Sequence, residues 1–133
     1  MATFKNQNIL VNTNCETVFE FLGDFRNFEE LVPEQVKNWK ADQESCSFRV
    51  EGMSDFNMRI DAKYPCRSMR IVSDGKNPAT FTLDYYFHEK EPQACEVSIV
   101  FEVSLNPFLK AIASKPLQNF VDMLGSKLQE KYA

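Results

Sequence analysis

His88 is the only histidine in a chain of 133 residues, so a metal centre built on several imidazoles is excluded. Histidine is the side chain most often recruited for proton transfer. Here the surrounding pattern places it on the outer face of a strand, or just past its end, beside Glu89. That position predicts a solvated surface residue. The four cysteines, Cys15, Cys46, Cys66 and Cys95, stand 31, 20 and 29 residues apart, and no CxxC pair exists. Cys46 and Cys95 have an inward phase, but a cysteine nucleophile needs a base and no histidine shares that phase. No GxSxG, GxGxxG or phosphate-binding loop occurs, and Gly23, Gly52, Gly75 and Gly125 are isolated. What remains is Tyr85, an inward phenol that seeks a hydrogen-bond partner when buried.

The elements that must position these groups follow from apolar spacing. Residues 3–11 predict a first strand, with Ile9, Leu10 and Val11 running together. Thr13-Asn14-Cys15-Glu16 has the spacing of a capping box led by Thr13. Val18, Phe19 and Leu22 then share one face of a short helix, which Gly23 can close in a left-handed conformation. Asp24 or Asn27 starts a second short helix, whose face is Phe25, Phe28, Leu31 and Val32. Pro33 prevents its extension.

From Val36 to Leu105 the period is two. The alternating sets are Cys46, Phe48, Val50; Phe56, Met58, Ile60, Ala62; Met69, Ile71; Phe81, Leu83, Tyr85, Phe87; and Cys95, Val97, Ile99, Phe101, Val103. Such alternation belongs to an antiparallel sheet with one buried and one wet face. Turn signals fall at Gly52, Tyr64-Pro65, Asp74-Gly75 through Pro78, and Glu91-Pro92. A weaker strand near Val36–Ala41 carries Trp39, the only tryptophan. Asn106-Pro107 opens a closing helix with the stripe Leu109, Ile112, Ala113, Leu117, Phe120, Val121, Leu124 and Leu128. Pro116 lies inside it and predicts a kink or a split.

Composition bounds the function classes. The chain is 44% apolar, 13% aromatic and 26% charged, which fits one soluble domain spanning 1–133. Its 15 basic and 19 acidic residues leave a net charge of -4, without the basic stripe of a nucleic-acid binder. Glu16, Glu20, Asp24, Glu29, Glu30 and Glu34 oppose only Arg26, whereas Lys110, Lys115, Lys127 and Lys131 outnumber Asp122 and Glu130. These read as solvated helix faces. Were the two short helices to plug the mouth of a pocket, their acidic residues would also disfavour anionic ligands. The start MATFKNQNIL lacks the features of a signal peptide, and no stretch approaches a membrane span. A cytoplasmic location and reduced, structural thiols are therefore expected.

The order is a strand, two short helices, about six strands and one long amphipathic helix. With the run NTNCETVFEFLGDFRNFEELVP from Asn12 to Pro33 and the closing NPFLKAIASKPLQNFVDMLGSKL, it resembles the START-related helix-grip superfamily. That superfamily includes birch-pollen-allergen-like and polyketide cyclase-like proteins. The resemblance covers essentially the whole chain. It implies an α+β fold in which a curved antiparallel sheet of about seven strands wraps a long C-terminal helix, with two short helices between strands 1 and 2. A cystatin-like cone is the rival architecture, but its long helix is usually N-terminal.

The resemblance also implies an apolar cavity between sheet and helix. The expected wall is Trp39, Phe48, Phe56, Met58, Met69, Ile71, Phe81, Leu83, Tyr85 and Ile99 from the sheet, Phe120, Met123 and Leu124 from the helix, and Leu31 from the plug. A filled core would need the same inward residues. The expected function is binding of a small apolar or lipid-like molecule without catalysis, cofactor, metal, nucleic acid or membrane span. Loops around Gly52-Met53 and Gly75 to Pro78, and the kink at Pro116, would move to admit the ligand. The alternatives are a polyketide cyclase or dehydratase dependent on Tyr85, and a chaperone-activator-like interaction module with an external apolar patch including Tyr86.

Overall fold

The structure, a computed structural model, describes residues 2–32, 34, 36–50, 55–75, 77 and 79–133. Seven antiparallel strands form one curled half-barrel: β1 (Ala2–Val11), β2 (Val36–Ala41), β3 (Ser45–Val50), β4 (Asp55–Tyr64), β5 (Ser68–Ser73), β6 (Phe81–Glu91) and β7 (Ala94–Val103). Their spatial order is β1-β7-β6-β5-β4-β3-β2. Every neighbour after β1 is thus a sequential hairpin partner, and only the first strand travels, to pair with the last. Between β1 and β2 stand α1 (Cys15–Leu22) and a 3₁₀ helix (Phe25–Glu30), and the chain ends in α2 (Pro107–Lys131). The expected helix-grip architecture is what the chain adopts, with the long helix at its C-terminal end.

Two bulges explain runs that break simple alternation. In β1 the register with β7 shifts between Asn6 and Ile9, where Asn8 adopts φ 59°. The extra residue returns Ile9 and Val11 to the face that already holds Ala2 and Phe4, and leaves Leu10 outside. Asn38, at φ 56°, does the same in β2, putting Trp39 and Ala41 in phase with Val36. Asparagine tolerates this left-handed backbone better than most residues.

α2 lies along β1 and touches β7, with much less approach to the other strands. Gly125 permits the close fit, since a Cβ there would collide with the side chains of Asn6 and Ile9. Asn6 Nδ2 donates to the Val121 and Asp122 carbonyls at 3.4 and 3.5 Å. Gln118 and Gln129 donate from α2 to the β1 carbonyls of Lys5 and Leu10, each at 3.2 Å.

Four local expectations are corrected. The N-cap of α1 is Asn14, not Thr13; its Oδ1 accepts the Thr17 amide at 2.8 Å. Gly23 closes that helix at φ -78°, outside the left-handed region, by donating its N–H to the Phe19 carbonyl. Pro116 does not split α2, which is one helix from Pro107 to Lys131. Pro116 is exposed, so its ring faces solvent, and only one helical N–H is lost. Cys15 and Cys95 are not reduced thiols but a disulfide, with Cα atoms 5.0 Å apart. Pairing of β1 with β7 sets Val11 opposite Cys95, and the chain turns into α1 just beyond, bringing Cys15 over it. The expected stop at Pro33, the turn at Gly52-Met53 and Pro78 fall outside the described residues.

Candidate functional site: the interior between sheet and helix

Alternation along β3, β4, β6 and β7 delivers Phe48, Phe56, Phe81 and Phe101 to the concave face, and α2 adds Phe120 from above. These five rings form a closed circuit. Centroid separations are 5.6 Å for Phe48–Phe56, 6.0 Å for Phe56–Phe81 and 5.4 Å for Phe81–Phe101. Phe120 closes it at 6.2 Å from both Phe101 and Phe48. Within the circuit is a cavity of about 20 Å³, lined by the five phenylalanines with Met58, Leu83 and Leu117. Among the described residues no lining side chain is polar or charged. The space is close to that of a single water molecule, and an all-apolar lining offers a water no partners.

Of the residues expected to wall a cavity, Phe48, Phe56, Met58, Phe81, Leu83 and Phe120 line this one. Leu31, Met69, Ile71, Tyr85, Ile99 and Leu124 are buried in the surrounding core, and Trp39 packs against it. Met123 is only half-buried. Phe101 and Leu117 line the cavity but lay outside the expected set. Phe101 does alternate inward with Ile99, so the signal was there, but spacing cannot show which inward residue faces a void.

A second zone lies under the 3₁₀ helix. Asp24 caps this helix by accepting the Arg26 amide at 3.0 Å, and Phe25, Phe28 and Leu31 all turn inward. Phe28 stacks on Trp39 at 6.1 Å and meets the Tyr85 ring edge-on at 6.2 Å. Trp39 stacks in turn on Phe48 at 5.3 Å and donates its indole N–H to the Phe25 carbonyl at 3.2 Å. The rings thus run unbroken from the plug to the circuit under α2. Tyr85 is fully buried, and its hydroxyl has no hydrogen-bond partner among the described residues. Burial pushes its pKa up, and a charge on Cys46 would push it further. Burial likewise raises the Cys46 thiol, with a smaller push from Asp42. Both groups are therefore neutral at pH 7.

Charge is kept outside. The one buried charged residue among those described is Asp84, on the outer face of β6, where it accepts from Arg70 Nε and Nη2 at 2.8 and 3.1 Å. His88 is exposed, on the outer face as expected. Among the described residues no group of three or more His, Cys, Asp or Glu could hold a metal ion. Among the described residues no helix is long and apolar enough to cross a membrane.

No protein-family model matches the chain, and no curated protein matches it in sequence. Solved structures do match over nearly the whole chain. XoxI from Bacillus cereus is similar at a TM-score of 0.77 and 12% identity, covering 99% of this chain and 96% of that one. A START superfamily protein from Mycobacterium smegmatis is similar at 0.67 and 16%, covering 96% and 97%. The di-domain ARO/CYC BexL from the BE-7585A biosynthetic pathway is similar at 0.67 and 10%, covering 96% of this chain and 46% of that one. At these identities the likeness is one of fold. The chain has the helix-grip fold that START-related and polyketide cyclase-like proteins share.

Proposed function

We propose that the protein binds one small apolar molecule between the concave sheet and α2, and that it does so without catalysis. The observation that carries this reading is the closed circuit of Phe48, Phe56, Phe81, Phe101 and Phe120 around an apolar void. Five large rings have left a hole at the place where helix and sheet face each other. Small-molecule sites are concave, mostly apolar and placed between such elements. The fold shared with a START superfamily protein and an ARO/CYC supports the same assignment.

The void is far below the several hundred Å³ of an occupied site, so uptake requires opening. Rotation of Phe48 and Phe120 out of their stack is the smallest such movement. Exposing the two rings costs about 3–6 kcal/mol, which keeps an open form below about 1% and weakens apparent affinity by the same fraction. Burial of ligand surface then supplies roughly 25 cal/mol per Å² against that cost.

The test has two arms. Native mass spectrometry of protein purified from its own host should show a stoichiometric apolar compound. Equilibrium dialysis should show saturable uptake of 2-ethylnaphthalene at one molecule per chain, lost in Leu83→Arg under conditions where that variant is folded. Absence of both would overturn the proposal. A second reading, an interaction module acting through its surface, is favoured by Phe108 and Ile112, 73% and 56% exposed one turn apart on α2. An interior that refuses every apolar probe is the result that would favour it.

A further inference from the structure

The Tyr85 hydroxyl is a polar atom held where water cannot reach it and where nothing among the described residues accepts from or donates to it. Buried hydroxyls without partners are rare because they lose their hydration and gain nothing in return. Its surroundings offer no relief. The Phe28 and Phe87 rings lie 6.2 and 6.4 Å from its own, and Met69 and Ile99 are its neighbours across the sheet. Phenylalanine would satisfy every one of these contacts. The hydroxyl is therefore surplus to the packing.

Its position relates it to the cavity. Tyr85 follows Leu83 by two residues on the same face of β6, and Leu83 lines the cavity wall. Two residues of strand place their Cα atoms about 7 Å apart. A molecule whose apolar body rests on Leu83 and displaces the rings above it would reach Tyr85 with its far end. Among the described residues no buried cation on the concave face could neutralise a carboxylate or phosphate there, and no buried anion could neutralise an amine. A bare charge would pay its full desolvation.

We infer that the molecule taken into this interior is uncharged and carries one oxygen acceptor, a ketone, ester or ether at the far end of its apolar body, which receives the Tyr85 O–H. The assignment rests on the ligand-binding reading above. It makes Tyr85 the residue that orients the ligand and rejects acids of the same shape.

Three probes of similar shape test it: 2-ethylnaphthalene, 2-acetylnaphthalene and 2-naphthoate, each dialysed against the wild type and Tyr85→Phe at pH 7. The wild type should bind the hydrocarbon and the ketone and take up the acid at least a hundredfold more weakly. Tyr85→Phe should lose about five- to tenfold in affinity for the ketone, keep its affinity for the hydrocarbon, and melt at a higher temperature than the wild type. Unchanged ketone affinity in Tyr85→Phe, acid bound as tightly as ketone, or a lowered melting temperature would each overturn the assignment while leaving the ligand-binding reading intact. Failure of the wild type to bind any of the three would remove that reading, and this one with it.

Discussion

Phe120 of α2 and Phe48 of β3 lie nearly parallel, with planes 15° apart and centroids at 6.2 Å. The helix backbone rests on β1, at the opposite end of the sheet from β3. The span between them is bridged by rings rather than by main-chain contact, so opening it at this pair breaks ring contacts and no backbone hydrogen bond. Phe120→Ala should lower stability by about 3–5 kcal/mol, as large-to-small core changes do. It should also tighten 2-ethylnaphthalene binding, because the opening step is then already taken. Chemical denaturation and equilibrium dialysis read the two effects. A variant that loses stability and binds more weakly than the wild type would place the ligand elsewhere.

The bridge between Cys15 and Cys95 closes a loop with a sequence separation of 80. Loop-closure entropy for that length gives about 4.5 kcal/mol of stabilisation. Urea unfolding of Cys15→Ala/Cys95→Ala should show a loss of this order, and excess dithiothreitol should shift the wild type by a similar amount. A midpoint indifferent to reductant would mean that the two thiols are not joined in solution.

Pro116 leaves the Ile112 carbonyl without its helical donor, on the exposed side of α2. Nearby, Ser114 Oγ donates to the Lys110 carbonyl at 2.5 Å, a local bond of the kind that bends helices slightly. Pro116→Ala restores an N–H at a site with no steric demand, and it should stabilise the protein by about 1–3 kcal/mol. If the proline were needed for a working kink, this variant would gain stability and lose probe uptake. Thermal melts beside dialysis distinguish the two outcomes.

Acid sensitivity should include the β2–β3 turn. Asp42 accepts the Ser45 amide at 2.8 Å, the Ser45 hydroxyl at 3.0 Å and the Glu44 amide at 3.0 Å. These bonds, the Ser45 amide first, hold its carboxyl below the usual 3.8. A folded pKa below the unfolded one means that the contribution is complete above about pH 4 and is lost as pH falls through the folded value. Arg26 and Arg49 act in the same direction on Asp24 and Asp55. Stability measured between pH 5 and 2.5 should therefore fall on the acid side, and Asp42→Ala should flatten that fall. Equal slopes in both proteins would discharge Asp42 from this role.

Much of the fold was legible because period-two alternation is a strong signal when one face is wet. Cys46 to Val50, Phe56 to Ala62 and Phe81 to Phe87 each marked a strand directly. The runs at Ile9-Leu10-Val11 and around Trp39 were harder, since each bulge shifts the phase by one residue at an asparagine that spacing cannot flag. The disulfide was hidden for a different reason. It depends on the first strand pairing with the last, a contact that no local pattern encodes. The interior was the least legible part. Phe48, Phe101 and Phe120 are inward in any filled or hollow version of this fold, and only the distance of α2 from the sheet decides between them.

The two asparagine bulges and the glutamines of α2 also shape how this molecule meets others of its kind. An open sheet has two border strands whose free peptide groups invite strand-by-strand stacking and, at high concentration, aggregation. On the β1 border, carbonyls of Lys5 and Leu10 are already taken by Gln118 and Gln129, and the strand bulges at Asn8. On the β2 border, Asn38 interrupts the ladder between two exposed lysines, Lys37 and Lys40, whose like charges repel an identical neighbour. Both margins are thereby blunted, and the half-barrel resists sheet extension even though it never closes on itself.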